Sequence, residues 1–236
     1  MVMPAVNSAC KEIKKMVPEQ KILLTGGHVA ALPEQTLLEE DCDFVCDGEG
    51  PYTILELIAA LKRGSTSLEK VRGLLYWKDS VIVHNESAPL VMDLDTEMEG
   101  IAWDLLPMDR YRAHNWHCFE DIDQRQPYAS IYTTLGCPFR CSFCCIHAPF
   151  KSGEKVLGHS SEINTYRRWS PQSIVKQIDI LVNDYGVKNI KFADEIFVLN
   201  KKHVLDICDL IIERGYGLNI WAYARVDSWS EEVLTK

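Results

Sequence analysis

The chain has 236 residues, of which 47% are hydrophobic and 25% charged, a composition that excludes a disordered or fibrous protein and suits one large or two modest globular domains. It contains no run of about 18 apolar residues and no basic-then-apolar leader, so we expect no membrane span and a cytoplasmic location. The net charge is −9, and lysines and arginines are scattered rather than clustered, which argues against nucleic acid as a partner.

Residues 1–86 alternate helical and strand patterns, as expected for part of an α/β domain. Two short apolar strands each end in glycines, namely Lys21–Thr25 before Gly26-Gly27 and Asp43–Cys46 before Gly48. Glycine at such a turn lets a ligand approach the backbone closely. The other predicted elements are helices over Asn7–Met16, Glu34–Glu39 and Tyr52–Lys62, the last with Ile54, Leu57, Ile58 and Leu61 on one face, and a hairpin of Gly73–Trp77 and Val81–His84.

Residues 87–126 show no clear period and mix acidic residues, prolines and aromatics. We interpret them as the connection between two domains. Its apolar residues are too numerous for a solvated linker, so we expect the connection to be ordered by packing. These residues are Trp103, Leu105, Leu106, Tyr111 and Trp116.

Residues 127–236 alternate strands and helices, which predicts a parallel sheet with right-handed crossovers. The strands are Tyr128–Thr134, Asn189–Ala193 and Leu218–Ala224, and the helices are Pro171–Tyr185 and Lys201–Arg214. In parallel sheets, catalytic and binding residues usually lie at the carboxyl ends of the strands. That rule selects a cysteine-rich loop after the first strand, Asp194 and Glu195 after the second, and Arg225 after the third.

Four of the nine cysteines lie between Cys137 and Cys145. Cys137, Cys141 and Cys144 are separated by three and then two residues, a spacing that lets one loop wrap three thiolates around an iron–sulfur cluster and leaves one iron open. A structural zinc site completed by Cys145, His147 or Cys118 is the alternative, although no second pair of closely spaced cysteines is visible. A set of buried thiols without metal is a further alternative.

This loop, with Phe143 just before its last cysteine, resembles that of the radical S-adenosylmethionine (SAM) superfamily. The resemblance implies that Cys137, Cys141 and Cys144 hold a [4Fe–4S] cluster, whose open iron binds SAM and whose electron cleaves it to methionine and a 5′-deoxyadenosyl radical. It also implies a (β/α) TIM-type barrel over residues 127–236. Phe143 would lie against the adenine, Asp194 and Glu195 would contact the SAM amino group, and Arg225 would bind its carboxylate or ribose. Cys145 is expected to be a buried small hydrophobic residue.

The glycine segments and hairpin of residues 1–86 resemble the later part of a cobalamin-binding, doubly wound (Rossmann-like) domain, with Gly26 and Gly27 as candidate cobalamin contacts. None of the seven histidines stands in the Asp-x-His-x-x-Gly segment of domains that ligate cobalt, so His28 is expected to be a satisfied polar residue. The expected fold class is thus α/β, a partial cobalamin-binding domain followed by a partial barrel. We expect a piece of a longer enzyme, with a branch carrying a reduced first domain as the alternative.

The resemblance implies a cobalamin-associated radical SAM enzyme, with C-methyltransferase among its possible activities, that takes electrons from a flavodoxin or ferredoxin. Rival interpretations are a radical methylthiotransferase, a cyclase or rearrangement enzyme, a zinc-stabilised binding module, and an inert truncated fragment whose open sheet edges prevent cofactor binding. The sequence does not identify the small-molecule or lipid-like substrate.

Overall fold

A computed structural model of the chain describes residues 3–64, 68–114 and 125–236. It divides into two compact units whose segments alternate along the sequence. The first unit comprises Met1–Val91 and Pro138–Thr165, and the second comprises Met92–Cys137 and Tyr166–Lys236. The domain limits predicted at residues 86 and 126 stay a prediction.

Within the described residues the chain forms nine α-helices and nine strands, besides short 3₁₀ turns. The helices are α1 (Met3–Met16), α2 (Gly27–Ala31), α3 (Pro33–Glu39), α4 (Pro51–Lys62), α5 (Leu94–Glu97), α6 (Ala148–Val156), α7 (Pro171–Tyr185), α8 (Lys201–Arg214) and α9 (Glu231–Thr235). The strands are β1 (Leu23–Leu24), β2 (Phe44–Cys46), β3 (Leu74–Lys78), β4 (Val81–His84), β5 (Tyr128–Ile131), β6 (Thr134–Gly136), β7 (Tyr166–Arg168), β8 (Asn189–Phe192) and β9 (Asn219–Ala222).

The first unit is built on a mixed sheet of order β1-β2-β3-β4. β1 and β2 are parallel, whereas β3 and β4 add to them as the predicted antiparallel hairpin. The three residues of β2 are all buried, as expected for a central strand of continuous apolar character. A doubly wound arrangement of the complete domain stays a prediction.

Helix α4 lies on this sheet with a different face from the one that its apolar residues predict. It buries Thr53, Leu57 and Ala60. Ile54 and Ile58 remain 37% and 44% exposed. Every position from Ile54 to Leu61 except Glu56 is apolar, so apolar periodicity alone does not select a face, and the smaller residues allow the helix to lie close to the strands.

The second unit contains the predicted parallel sheet, in the order β5-β8-β9. Helices α7 and α8 pack together beside it, and their apolar residues form one core with the strands. The strand predicted over Tyr128–Thr134 is broken after Ile131. The chain then continues as β6, which leaves the parallel sheet to pair antiparallel with β7.

The segment that connects the predicted domains is ordered where the structure describes it. Trp103 and Met108 belong to the core of the second unit and are 5% and 6% exposed. Leu105, in contrast, is largely exposed, and Trp116 lies outside the described residues. None of the helices in the described part of the chain is both long and apolar enough to cross a bilayer.

Candidate metal and cofactor sites

The cysteine loop begins directly after β6. Cys137 is buried at the end of that strand and closes a segment of the second unit. Cys141 and Cys144 belong to the first unit, where Cys141 is half-buried and Cys144 is exposed. The Cys144 N–H donates to the Cys141 carbonyl at 3.0 Å, so a tight turn connects these two cysteines.

Across the described ranges, no three His, Cys, Asp or Glu side chains are grouped in a way that could hold a metal ion. The donor set nevertheless fits a cluster chemically, because thiolates are the ligands that iron–sulfur centres use and metal sites often assemble as the metal binds. Two neighbouring side chains are also open to solvent. Phe143 is 90% exposed, and Cys145 is exposed, so the prediction that Cys145 is buried was wrong.

His147, one of the side chains considered as a zinc ligand, already has a protein partner. Its Nε2 lies 3.2 Å from Nδ2 of Asn164, an amide nitrogen that can only donate. His147 Nε2 therefore accepts this hydrogen bond, and the lone pair that a metal would need is in use. The local contacts disfavour zinc ligation through that atom.

Asp194 lies two residues beyond the end of β8 and is completely buried. Its Oδ1 accepts hydrogen bonds from the Thr133 N–H and Thr133 Oγ1, both at 3.0 Å, and from Thr134 Oγ1 at 2.6 Å. Its Oδ2 is buried with no hydrogen-bond partner among the described residues. Burial raises the pKa of Asp194, although the threonine hydrogen bonds oppose the shift. The carboxyl therefore holds together the ends of two neighbouring strands and is closed to solvent.

Two further titratable side chains, His203 and Tyr166, lie near the buried carboxyl of Asp194. His203 Nε2 lies 3.4 Å from Thr133 Oγ1, and burial lowers the pKa of His203 to about 4. Burial and the nearby Asp194 raise the pKa of Tyr166. Neither residue is among the site residues predicted from the sequence. His203 lies within a helix and Tyr166 in a short polar strand, so neither carries a sequence signal that points to the strand ends.

Glu195 differs from its neighbour because it is exposed. Partial burial and the Asp194 carboxyl raise its pKa, whereas Lys191 opposes the shift. Lys191 Nζ itself lies 5.1 Å from the ring centre of Trp221 and 4.8 Å from that of Tyr223. Among the two acidic residues predicted at this strand end, only Glu195 is accessible to a ligand.

Arg225 follows β9, as predicted, and forms a two-pronged ion pair with Asp227. The Arg225 Nε and Nη2 atoms donate to the two Asp227 carboxylate oxygens at 2.9 and 2.6 Å. The geometry suits carboxylate recognition by a guanidinium. A ligand carboxylate at this position would have to replace Asp227.

Gly26 and Gly27 border a cavity of about 580 Å³ in the first unit. Gly26 has φ +121, and neither glycine has an atom within 4 Å of the place where a Cβ would lie. His28 lines the same cavity and is exposed. The glycines thus present backbone to open space, which suits close approach by a ligand.

Asp47, which follows β2, joins three parts of the first unit. Its Oδ2 accepts from Ser87 Oγ at 2.6 Å and lies 2.9 Å from His84 Nε2, and its carbonyl accepts from Ser152 Oγ of α6 at 3.1 Å. The hydrogen bond to Asp47 raises the pKa of His84. The side chain of Asp47 therefore holds the hairpin against β2, and its backbone carbonyl holds the helix after the cysteine loop there.

Comparison with known proteins gives relatives over nearly the whole chain, although no protein-family model matches it. An uncharacterized methyltransferase of Pyrococcus horikoshii is 34% identical over 224 residues, covering 94% of this chain and 44% of that protein. The anaerobic magnesium-protoporphyrin IX monomethyl ester cyclase of Synechocystis is 27% identical over 189 residues, covering 80% of this chain and 33% of that protein.

Among solved structures, the radical SAM methyltransferase TsrM from Kitasatospora setae, with cobalamin and a [4Fe–4S] cluster bound, has a similar fold. The TM-score is 0.69 at 18% identity, and the match covers 99% of this chain and 42% of that one. The chain thus spans less than half the length of each of these three proteins. The chain therefore shares its fold with a radical SAM methyltransferase and is similar in sequence to a methyltransferase and a cyclase.

Proposed function

We propose that this chain is part of a cobalamin-associated radical SAM enzyme and binds a [4Fe–4S] cluster through Cys137, Cys141 and Cys144. The observation that carries the proposal is the spacing of three thiols in a loop that begins where β6 ends. When bound and reduced, the cluster supplies the electron that breaks a sulfonium C–S bond of SAM. The chain itself supplies the ligands and the groups that hold and orient SAM.

Of the residues predicted to contact SAM, Phe143 and Glu195 are the best candidates, because their side chains are exposed to solvent. The Phe143 ring is available to cover the adenine, and the exposed Glu195 carboxylate can accept hydrogen bonds from the SAM ammonium. Asp194 supports this strand end from inside, where its carboxyl is already bonded to Thr133. Arg225 would exchange Asp227 for the SAM carboxylate or ribose.

Cobalamin is assigned to the cavity beside Gly26 and Gly27, because both glycines expose backbone there and leave room for a bulky ligand. The assignment is supported by the fold shared with TsrM, a protein that has cobalamin bound. Methyl transfer is the reaction favoured by the Pyrococcus relative, and we propose carbon as the acceptor from the sequence resemblance; ring formation is the alternative favoured by the Synechocystis relative. A flavodoxin or ferredoxin is the proposed electron donor.

Anaerobic loading with iron and sulfide tests the cluster. We expect about four iron atoms per chain, as the cubane formula requires, and an electron paramagnetic resonance (EPR) signal of the reduced protein that changes when SAM is added. Cys141→Ala should lose the cluster. Cys145→Ala is the matched control, because it removes an exposed thiol of the same loop and should retain it. Loss in both variants, or one zinc per chain and no iron in the unaltered chain, would refute the assignment.

Cobalamin binding is tested separately by titrating the chain with hydroxocobalamin and following its visible spectrum. Gly27→Val places a branched side chain at the cavity wall and should weaken binding at least about tenfold, equivalent to ~1.4 kcal/mol. Ile58→Val, on the exposed face of α4, is the control and should bind normally. Equal affinity of the Gly27 variant and the unaltered chain would exclude this cavity.

A further inference from the structure

A loop that supplies cluster ligands benefits from being held in shape before the metal arrives, because ordering each residue costs roughly 1–2 kcal/mol of conformational entropy. The first-unit part of the cysteine loop, residues 138–147, contains only short turns and no regular helix or strand. Turn hydrogen bonds within the loop and side chains from other parts of the first unit therefore maintain its shape. One of these side chains, Asn164, lies 20 residues beyond Cys144 and contacts the loop at two points.

The Asn164 amide contacts the loop on both sides of Cys141 and Cys144. Its Nδ2 donates to the Phe139 carbonyl at 2.9 Å and lies 3.2 Å from His147 Nε2. An amide nitrogen carries two hydrogens, so one can serve each acceptor. The two hydrogen bonds join the chain before Cys141 to the chain after Cys144.

The remaining atom of the amide is bonded as well. Asn164 Oδ1 accepts from Lys151 Nζ of α6 at 2.7 Å, and this contact fixes which side of the amide faces the loop. The same ammonium donates to the Ile163 carbonyl at 2.9 Å and pairs with Glu154 at 2.8 Å. Lys151 thus has two hydrogen-bond acceptors and one ion-pair partner, which keep the amide in place.

Glu154 anchors this arrangement in the interior. The residue is 3% exposed, and its Oε1 accepts from the Thr165 N–H at 2.7 Å and Thr165 Oγ1 at 2.8 Å. Burial acts to raise the pKa of Glu154, but the contact with Lys151 and the hydrogen bonds from Thr165 outweigh it and the pKa is lowered. The carboxylate is therefore charged and fixes both Lys151 and the backbone next to Asn164.

We propose that Asn164 is a positioning residue that holds the Cys141–Cys144 segment ready to receive the cluster, an inference that rests on the proposed function. Only a primary amide presents two donors to the loop and one acceptor to Lys151. Asn164→Asp keeps the size of the side chain but places oxygen opposite the Phe139 carbonyl, and it forces His147 to carry a hydrogen on Nε2. Asn164→Ala removes all three hydrogen bonds.

The first measurement uses the full chain without metal. Hydrogen–deuterium exchange over residues 138–147 should be about tenfold faster in Asn164→Ala, the factor expected when hydrogen bonds worth ~1.4 kcal/mol together are lost. The control is Glu162→Gln, which removes an exposed ion pair with Arg140 in the same segment and should change exchange less than twofold, or about 0.4 kcal/mol. Nitrogen NMR at pH 8 should show the Nδ1–H tautomer of His147 in the unaltered chain and a hydrogen on Nε2 in Asn164→Asp.

The second measurement uses the reconstituted protein. A chelator should remove iron about tenfold faster from the Asn164 variants than from Glu162→Gln, and the EPR signal of the reduced cluster should shift only in the Asn164 variants. If the unaltered chain binds no iron, the proposed function is refuted. The rate of hydrogen–deuterium exchange over residues 138–147 and the tautomer of His147 still test whether Asn164 holds the loop. If exchange, tautomer and iron release in the Asn164 variants all equal those of the unaltered chain, the positioning role is refuted even though the cluster binds.

Discussion

The buried carboxyl of Asp194 gives a quantitative prediction about stability. Asp194→Ala removes the acceptor of three hydrogen bonds and leaves the Thr133 N–H and two hydroxyls without it in the interior. A buried donor left unsatisfied costs about 1–3 kcal/mol, and hydroxyls can rotate to other acceptors, so we expect a loss of ~3 kcal/mol in the free energy of unfolding. Asp194→Asn keeps an oxygen at the Oδ1 position and should retain most of these hydrogen bonds.

The pH dependence of the free energy of unfolding distinguishes the role of Asp194 as a hydrogen-bond acceptor from the effect of its charge. The pKa of Asp194 is raised above its ordinary value of 3.8 in the folded chain. Between 3.8 and the raised pKa, the folded state keeps a proton that the unfolded state has lost, so the contribution of this carboxyl to stability falls as pH rises. The asparagine has no such proton. Asp194→Asn should therefore be at least as stable as the unaltered chain at pH 7.

Urea unfolding followed by tryptophan fluorescence measures both effects, since Trp103 lies in the same core. With a slope of about 2 kcal/mol per molar urea, the Asp194→Ala midpoint should fall by ~1.5 M. Asp184→Ala, which removes an exposed carboxylate at the end of α7, is the control and should leave it unchanged. A fall of less than about 0.3 M for Asp194→Ala, or an equal fall for Asp194→Asn, would show that the threonine hydrogen bonds do not stabilise this strand end.

Three further substitutions should give measurable effects. The pKa of His203 is lowered to about 4, so acidification from pH 6.5 to 4 protonates this side chain in the unfolded state first. The free energy of unfolding measured in urea titrations should therefore fall by on the order of 3 kcal/mol over this range. His203→Gln should abolish this pH dependence. Gly153→Ala would place a Cβ 2.7 Å from Leu90 Cδ2, and thermal unfolding should show a loss of about 1–3 kcal/mol although alanine favours helices. Trp103→Phe removes the 2.8 Å hydrogen bond to Gln177 Oε1 and should cost ~1 kcal/mol in the urea midpoint, and no change would contradict that role.

The sequence predicted well those parts of the fold whose signal is local. The apolar strands and amphipathic helices of the second half carry clear periods, and β5, β8 and β9 form the expected parallel sheet. Helices α2 and α6 were missed because they are short, contain glycine and depend on packing against one another. β7 was missed for a similar reason, since it is three mostly polar residues made into a strand by pairing with β6.

The candidate site was predictable only in part. The cysteine spacing and the acidic pair at a strand end are visible in the sequence, but the different exposure of Asp194 and Glu195 is not. The difference in exposure arises from Thr133 and Thr134, which lie about 60 residues earlier and whose hydroxyls donate to the Asp194 carboxyl. Asn164 has no motif of its own, and the role proposed for it follows from contacts that exist only in the folded chain.

The packing of α6 against α2 has a consequence for ligand binding. α2 begins at Gly27 beside the cavity proposed for cobalamin, and α6 follows His147 at the end of the cysteine loop. If the affinities of two ligands, one at each segment, both differ between two arrangements of this helix pair, each ligand changes the affinity for the other by the same factor, because linkage is reciprocal. Binding of cobalamin and binding of the cluster would then each change the affinity for the other through α2 and α6, although the two cofactors contact different segments of the chain.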